Sequence, residues 1–370
     1  MQVLIVHPRM SIMGGGERVA IHSILAARNL GYDVSLLTEH FDTRRFEEFF
    51  GCYSLFNKAK LVTFPRFNPL VRGSLLLYQR LLYYQMQLRK ALSGPQQFQL
   101  VLGTQDVGYT PMTRVPVVQY CYFPEYFRHL QSSPASPLWK LYYRPAQTFY
   151  RNRVHYIDRF LSVSNYTREF VKGIWGRDST TVYPPCPVKL YTFSNAVREN
   201  LVITIGRIVE EKRMHIMLEI ARKLPDVRFA IIGSVASQED NYYKALRENA
   251  PDNLSFVLSP LRKVREILGR AKVYVHCAQG EHFGITIVEA MAAGCVPVVH
   301  DSGGPREIVT QGAGYRWQDV GEATEQISRL MYDERKRSEM SAVSTARAAI
   351  FGEEAFESSM EQVLKEYDGI

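Results

Sequence analysis

A chain of 370 residues with 46% apolar and 22% charged residues is long enough for two globular domains and too ordinary in composition for a disordered or fibrous protein. Its five cysteines, Cys52, Cys121, Cys186, Cys277 and Cys295, include no C-x-x-C pair, so neither a disulfide framework nor a zinc site is expected, and a cytoplasmic setting is. No window approaches the ~20 apolar residues of a membrane span, because Gln79, Arg80 and Gln85 interrupt the richest stretch, and the first residues lack the layout of a secretion signal.

The net charge of +8 is unevenly spread. Residues 1–195 hold 23 basic and 11 acidic side chains, and residues 196–370 hold 22 and 26. No acidic residue occurs between Glu48 and Asp106, where Lys58, Lys60, Arg66, Arg72, Arg80, Arg89 and Lys90 fall. Such a basic face suits an anionic membrane, a phosphorylated ligand or nucleic acid.

In chain order, residues 2–7 form a continuous apolar run, as in a strand buried on both faces. Gly14, Gly15 and Gly16 follow, then a helical pattern over 18–30 and a strand over 33–38. This is the β-loop-α-β opening of a doubly wound sheet. Further strands are expected at 100–102, 115–121 and 160–163. Pro184, Pro185 and Pro187 then interrupt the chain, since they fit neither a helix interior nor a central strand. The pattern restarts with a strand at 201–205, a helix at 215–223, and strands at 228–232, 254–258, 273–276 and 296–300, with a helix opening near Gly284. The expected organisation is α/β: a first Rossmann-like domain over 1–195, a second over 196–350, and a helix over 351–370 that returns to the first.

Ligands of doubly wound sheets bind beyond the carboxyl ends of the strands. In the first domain Gly14, Gly15 and Gly16 lack the Cβ atoms that would keep a phosphate from the backbone amides, although a tight turn without ligand explains them equally well. Neither G-x-G-x-x-G with its distal acid nor G-x-x-x-x-G-K-[ST] occurs, which removes the main support for a nicotinamide, flavin or P-loop nucleotide site. In the second domain Gly206 and Arg207 end a strand, and Lys212 follows. A planar guanidinium beside a compact ammonium suits a diphosphate. Some 70 residues on, Glu281 precedes a helix start at Phe283 and Gly284, where a carboxylate and free amides can meet sugar hydroxyls. Glu289 lies two turns into that apolar helix, where a carboxylate needs a buried partner. No D-x-D pair is present for a nucleotide-bound divalent ion.

Glu281 and Glu289 stand in the E-x7-E spacing of retaining GT-B glycosyltransferases. With Gly14-Gly15-Gly16-Glu17-Arg18, Gly206-Arg207-Ile208-Val209-Glu210-Glu211-Lys212 and the loop of Asp301, Gly303, Gly304 and Glu307, the chain resembles glycosyltransferase family 4 from end to end. Glu281-His282-Phe283-Gly284, Tyr183-Pro184-Pro185-Cys186 and Cys121-Tyr122-Phe123-Pro124-Glu125 are most similar to mannosyltransferases that elongate dolichol- or polyprenol-linked oligosaccharides. The resemblance implies two Rossmann-like domains facing across a cleft and a retaining, metal-free transfer in glycan biosynthesis. The catalytic set it implies is Glu281, Arg207 and Lys212. Arg207, Lys212, Gly15 and Gly16 would hold the donor diphosphate, Glu281 with the amides near Phe283 and Gly284 the sugar, and Glu289 the ribose. GDP-mannose leads as donor, with UDP-glucose or UDP-N-acetylglucosamine in a soluble enzyme as the alternative, and a non-catalytic sugar- or nucleic-acid-binding protein as a remote one. Relatives commonly carry His where this chain has Tyr122, which leaves the part of Tyr122 open; His276 and His282 are further candidates, though a structural histidine is the plainer explanation of each. The expected partners are a glycan or polyprenol-linked acceptor and, through aromatic and basic residues in 43–95 and 138–160, the anionic cytosolic face of a membrane, with no cofactor, metal or nucleic acid.

Overall fold

The computed structural model describes residues 1–71, 73, 75–94, 97–124, 137–192, 198–235, 240–258 and 261–369, with the backbone alone for Leu261 and Arg262. Arg72, Glu125 and the expected boundary at 195/196 lie outside the described residues. The chain divides into two compact units, Met1–Pro185 together with Phe356–Ile370, and Cys186–Ala355. Among the described residues no helix is long and apolar enough to cross a membrane.

The first unit is built on strands β1 (Gln2–Val6), β2 (Asp33–Glu39), β3 (Lys60–Phe64), β4 (Leu100–Gly103), β5 (Val117–Cys121), β6 (Arg159–Ser162) and β7 (Ser179–Thr181), in the order β3-β2-β1-β4-β5-β6-β7 and parallel throughout. Helices cover both faces, so β1, β4 and β5 are buried almost completely and read as apolar runs, broken in β5 by the buried Gln119. The helix Gly15–Asn29 starts directly at the Gly triplet and buries Val19, Ala20, Ile24 and Ala27. The helix Glu353–Lys365 places Phe356, Met360, Val363 and Leu364 in the interior. Glu357 of this helix meets His22 at 2.7 Å, and Glu361 accepts a hydrogen bond from Asn29 at 3.0 Å.

The second unit repeats the plan with β8 (Glu199–Arg207), β9 (Arg228–Ser234), β10 (Leu254–Leu258), β11 (Ala271–His276), β12 (Val296–His300) and β13 (Tyr315–Trp317), ordered β10-β9-β8-β11-β12-β13 and again parallel. Val202, Phe229, Ile231, Val273, Val275, Val296 and Val298 line its core, closed by Met217, Ile220, Ile327 and Leu330 from the helices. Strands β3, β7 and β13 were not anticipated; each is short and forms a sheet edge.

Counting charge by unit changes the picture drawn from halves of the sequence. The first unit carries 23 basic and 15 acidic residues and the second 22 of each, because the acidic C-terminal helix belongs to the first unit. The second unit is therefore neutral, not acidic.

The registers of β8 and β9 bring Gly206 opposite Gly233. A Cβ on Gly233 would lie 1.8 Å from the Gly206 carbonyl oxygen, a backbone atom that cannot swing aside. Gly233→Ala is expected to cost more than about 3 kcal/mol, because relief demands separating two strands. A denaturant midpoint for unfolding of the variant close to that of the parent would remove this constraint.

Candidate functional site

In each sheet the strand order reverses between the first strand and the fourth, which is where a doubly wound fold opens a crevice at its carboxyl edge. In the second unit this point lies between β8 and β11. Strand β8 ends in Gly206 and the exposed Arg207. The chain then makes a single turn over Glu210–Lys212 and passes through Arg213 in the left-handed region, φ 50°. Arg213 donates to the Gln279 side chain at 3.3 Å. The turn delivers Lys212 onto the carboxylate of Glu281, with which it forms an ion pair.

Strand β11 ends at His276, whose Nε2 lies 3.4 Å from the same Glu281 oxygen. Burial alone raises a carboxyl pKa, but here the His276 ring and the Lys212 charge outweigh it and hold Glu281 well below the ordinary carboxylate range. Glu281 is thus ionised at any pH at which the protein works. The pair's contribution to stability is present above the ordinary carboxylate pKa and is lost only as pH falls through the depressed value.

Two residues before His276, the Tyr274 hydroxyl lies 2.8 Å from Thr286 Oγ1 and 3.3 Å from His276 Nδ1. Burial raises its pKa first, and the charges of Glu281 and Glu289 add to that rise, so both carboxylates of the E-x7-E pair act on one phenol. Tyr274, Thr286 and Ser302 carry no sequence signal beyond standing at strand and helix ends.

The loop bearing Glu281 is pinned from the opposite side. The Gly280 amide donates to Ser302 Oγ at 2.8 Å, and the same oxygen lies 2.8 Å from His300 Nδ1. The Gly304 amide donates to the Glu281 carbonyl at 2.8 Å. A Cβ on Gly303 or Gly304 would come within 2.3 Å of the Glu281 carbonyl oxygen or 2.4 Å of the His282 carbonyl oxygen, which explains the glycine pair. Phe283 is a core anchor, edge-on to Phe351 at 5.6 Å. Gly284 has φ 111° and leads into the helix Ile285–Ala292, whose first amides have no side-chain cap. Glu289 is half-buried inside that helix. Arg207, Lys212, Glu281, Phe283, Gly284 and Glu289 therefore all belong to the second unit, and Lys212 and Glu281 are in direct contact.

Gly15 and Gly16 belong to the first unit. There Glu17, 2% exposed, accepts from the Gly14 amide at 2.6 Å and faces His7 Nε2 at 3.2 Å, while His7 Nδ1 lies 2.9 Å from Thr104 Oγ1. The Tyr122 hydroxyl is 3.0 Å from the Thr104 carbonyl and 3.2 Å from the Gly16 carbonyl, so it donates to one or the other. Burial, then the Glu17 charge, push the Tyr122 pKa well up, so the phenol stays protonated near neutral pH. Beside it opens a cavity of about 500 Å³ lined by Tyr109, Tyr122, Tyr150 and Trp175 with Arg80 and Asp106. Among the described residues no group of three or more His, Cys, Asp or Glu side chains is arranged to hold a metal ion.

Tyr122→Phe removes the hydroxyl and leaves a buried carbonyl without its donor. The expected cost is about 1 to 2 kcal/mol of stability, with backbone exchange at 14–17 accelerated; protection unchanged at those amides would show that the hydroxyl does not hold the loop.

Residues 13–189 match the family described as Glycosyltransferase Family 4, and residues 192–347 match Glycosyl transferases group 1. Among curated proteins, the chain is 30% identical over 233 residues to the GDP-Man:Man(3)GlcNAc(2)-PP-Dol alpha-1,2-mannosyltransferase of Yarrowia lipolytica, covering 53% of this chain and 37% of that one. It is 27% identical over 223 residues to the same-named protein of Caenorhabditis elegans, covering 52% and 47%. The chain thus spans less than half the length of these relatives. Among solved structures, an Anabaena protein in complex with UDP and glucose has a TM-score of 0.73 at 17% identity over 99% of both chains, a likeness of fold. A Glycosyltransferase Family 4 domain followed by a glycosyl transferases group 1 domain accounts for both units, and the chain belongs to the glycosyltransferases of the GT-B fold.

Proposed function

We propose that the chain moves mannose from GDP-mannose to a glycan carried on a polyprenol diphosphate, with retained configuration and without metal, at the cytosolic face of a membrane. The observation that carries this reading is the cluster of Lys212, Glu281 and His276 at the point where the second sheet reverses. The names of the Yarrowia and Caenorhabditis relatives support the donor and the lipid-linked acceptor.

In this reading the diphosphate meets Arg207 and Lys212. The Glu281 carboxylate, kept charged by Lys212 and His276, accepts from hydroxyls of the hexose, and amides near Phe283 and Gly284 complete their recognition. Glu289 accepts from the ribose. As the glycosidic bond lengthens, negative charge grows on the leaving diphosphate. Fixed cations already in place stabilise that charge more than the ground state, because they need no reorganisation. The acceptor hydroxyl attacks from the face the diphosphate leaves, and a donor phosphate oxygen takes its proton.

Glu289→Gln should weaken GDP-mannose binding by about 1.5 to 3 kcal/mol, on the order of tenfold to a hundredfold in Kd, with the fold intact. Calorimetry showing parental affinity would take Glu289 out of the site. Arg207→Ala and Lys212→Ala should lower kcat more than donor affinity, and a chelator should leave the rate unchanged. Turnover within twofold of the parent in either variant, or strong inhibition by EDTA, speaks against the cationic, metal-free departure.

A further inference from the structure

Much of the Leu-rich stretch of the first unit is core: the helix Leu76–Leu92 buries Leu81, Tyr84 and Leu88. Its N-terminal end is different. Leu70 and Val71 fold back onto its first turn, where the Gln79 side chain accepts from the Leu70 amide at 2.8 Å and donates to the Val71 carbonyl at 2.8 Å. One residue earlier, Tyr78 donates to the Tyr142 carbonyl and sets its ring edge-on to Tyr142 at 5.3 Å. Tyr142 lies in the first turns of the helix Pro137–His155, so two helix ends are tied together.

That joined end leaves its largest apolar side chains in solvent. Leu70 is 94% exposed, Leu138 77%, Leu141 65%, and Leu75 52%, with Trp139 at 42% stacked on Tyr143. Clustered exposure of this kind marks a surface that something covers. Charge identifies what. Lys140 and Arg144 are exposed on the same turns, and neither helix contains an acidic residue. Exposed leucines, a half-exposed tryptophan with tyrosines, and exposed cations on the same turns supply the three side-chain types that a bilayer interface takes: apolar groups for the acyl chains, aromatics for the headgroup boundary and cations for the anionic phosphates.

We propose that this edge, formed by Leu70, Val71, Leu75 and residues 138–144, inserts into an anionic lipid surface and docks the first unit there. The proposal rests on the reading of a lipid-linked acceptor, and it orients the same two helices, which supply Leu77, Arg80, Leu81 and Tyr150 to the cavity wall, toward the lipid that carries it.

Flotation with phosphatidylcholine vesicles, with and without phosphatidylserine, tests it. The protein should float with the anionic vesicles, less so as salt rises, and the Trp139 emission should move to the blue, a shift that Trp139→Phe abolishes. Leu138→Ser with Leu141→Ser should weaken vesicle binding by about tenfold or more, and Lys140→Glu with Arg144→Glu should remove the preference for phosphatidylserine. These positions are exposed, so the variants should keep the parental rate toward a water-soluble acceptor analogue. Absence of flotation, flotation unchanged in both variants, or a dimer that the leucine substitutions dissociate would each overturn the proposal. Loss of transfer to every acceptor with flotation retained would instead overturn the mannosyltransferase reading and leave the docking edge standing.

Discussion

Much of the second unit's loop structure follows from one carboxylate. Glu281 is drawn largely out of water at the carboxyl edge of the sheet, with its side chain 18% exposed, and such a group persists as an anion only if cations answer it. Lys212 supplies such a cation from the turn after β8, and the His276 ring stands 3.4 Å away at the end of β11, so the two strands flanking the reversal each bring a side chain to the carboxylate. Meeting that demand fixes the backbone: the Arg213 residue turns through a left-handed conformation, and Gly303 and Gly304 give up their side chains so that their loop can press against the Glu281 and His282 carbonyls. A residue that would be a liability in a plain core thus becomes the point from which three loops take their positions.

The first unit solves a similar problem to a different end. Glu17 also sits just beyond the first strand of a sheet ordered 3-2-1-4, and it too faces a histidine at a strand end. At 2% exposure it is spent within the scaffold, closing the Gly14 amide and His7, and no oxygen is presented outward. Exposure therefore separates the two carboxylates. Glu281 keeps an accessible edge while its charge is already neutralised, which is the condition for accepting hydroxyl hydrogens from a ligand without a further desolvation cost. Tyr122 fits the scaffold side of this division, since its hydroxyl donates to the carbonyl of Thr104 or of Gly16.

The sequence was legible where burial is two-sided. Strands β1, β4, β5, β8, β11 and β12 are central, and their largely apolar runs place them within a residue or two; of the four edge strands, β3, β7 and β13 are short, partly exposed and give no clear run, whereas β10, also an edge, is legible at 254–258 because four of its five residues are apolar. Of the residues that the spacing of Glu281 and Glu289 and the cations after β8 single out, the structure brings Lys212 and Glu281 into contact. Spacing could not show that Lys212 rests on Glu281 in the free protein, because that contact joins residues 69 apart in sequence. Nor could it name Tyr274 or Ser302, ordinary polar residues whose importance lies only in what surrounds them.

Charge counted along the chain also misled, and the reason is topological. The C-terminal helix Glu353–Lys365 and the residues after it return to the first unit, where Glu357 meets His22 and Glu366 meets Arg159. Those acidic groups are placed on the helix Gly15–Asn29 and the edge of β6. The whole net charge of +8 thus resides in the first unit, and the ion pairs among its described residues lie on elements other than Leu76–Leu92 and Pro137–His155. A unit that must be soluble has reason to spread such charge; concentrating cations with apolar side chains on one joined edge, while pairing them off elsewhere, is what separates an adhesive surface from a solvated one.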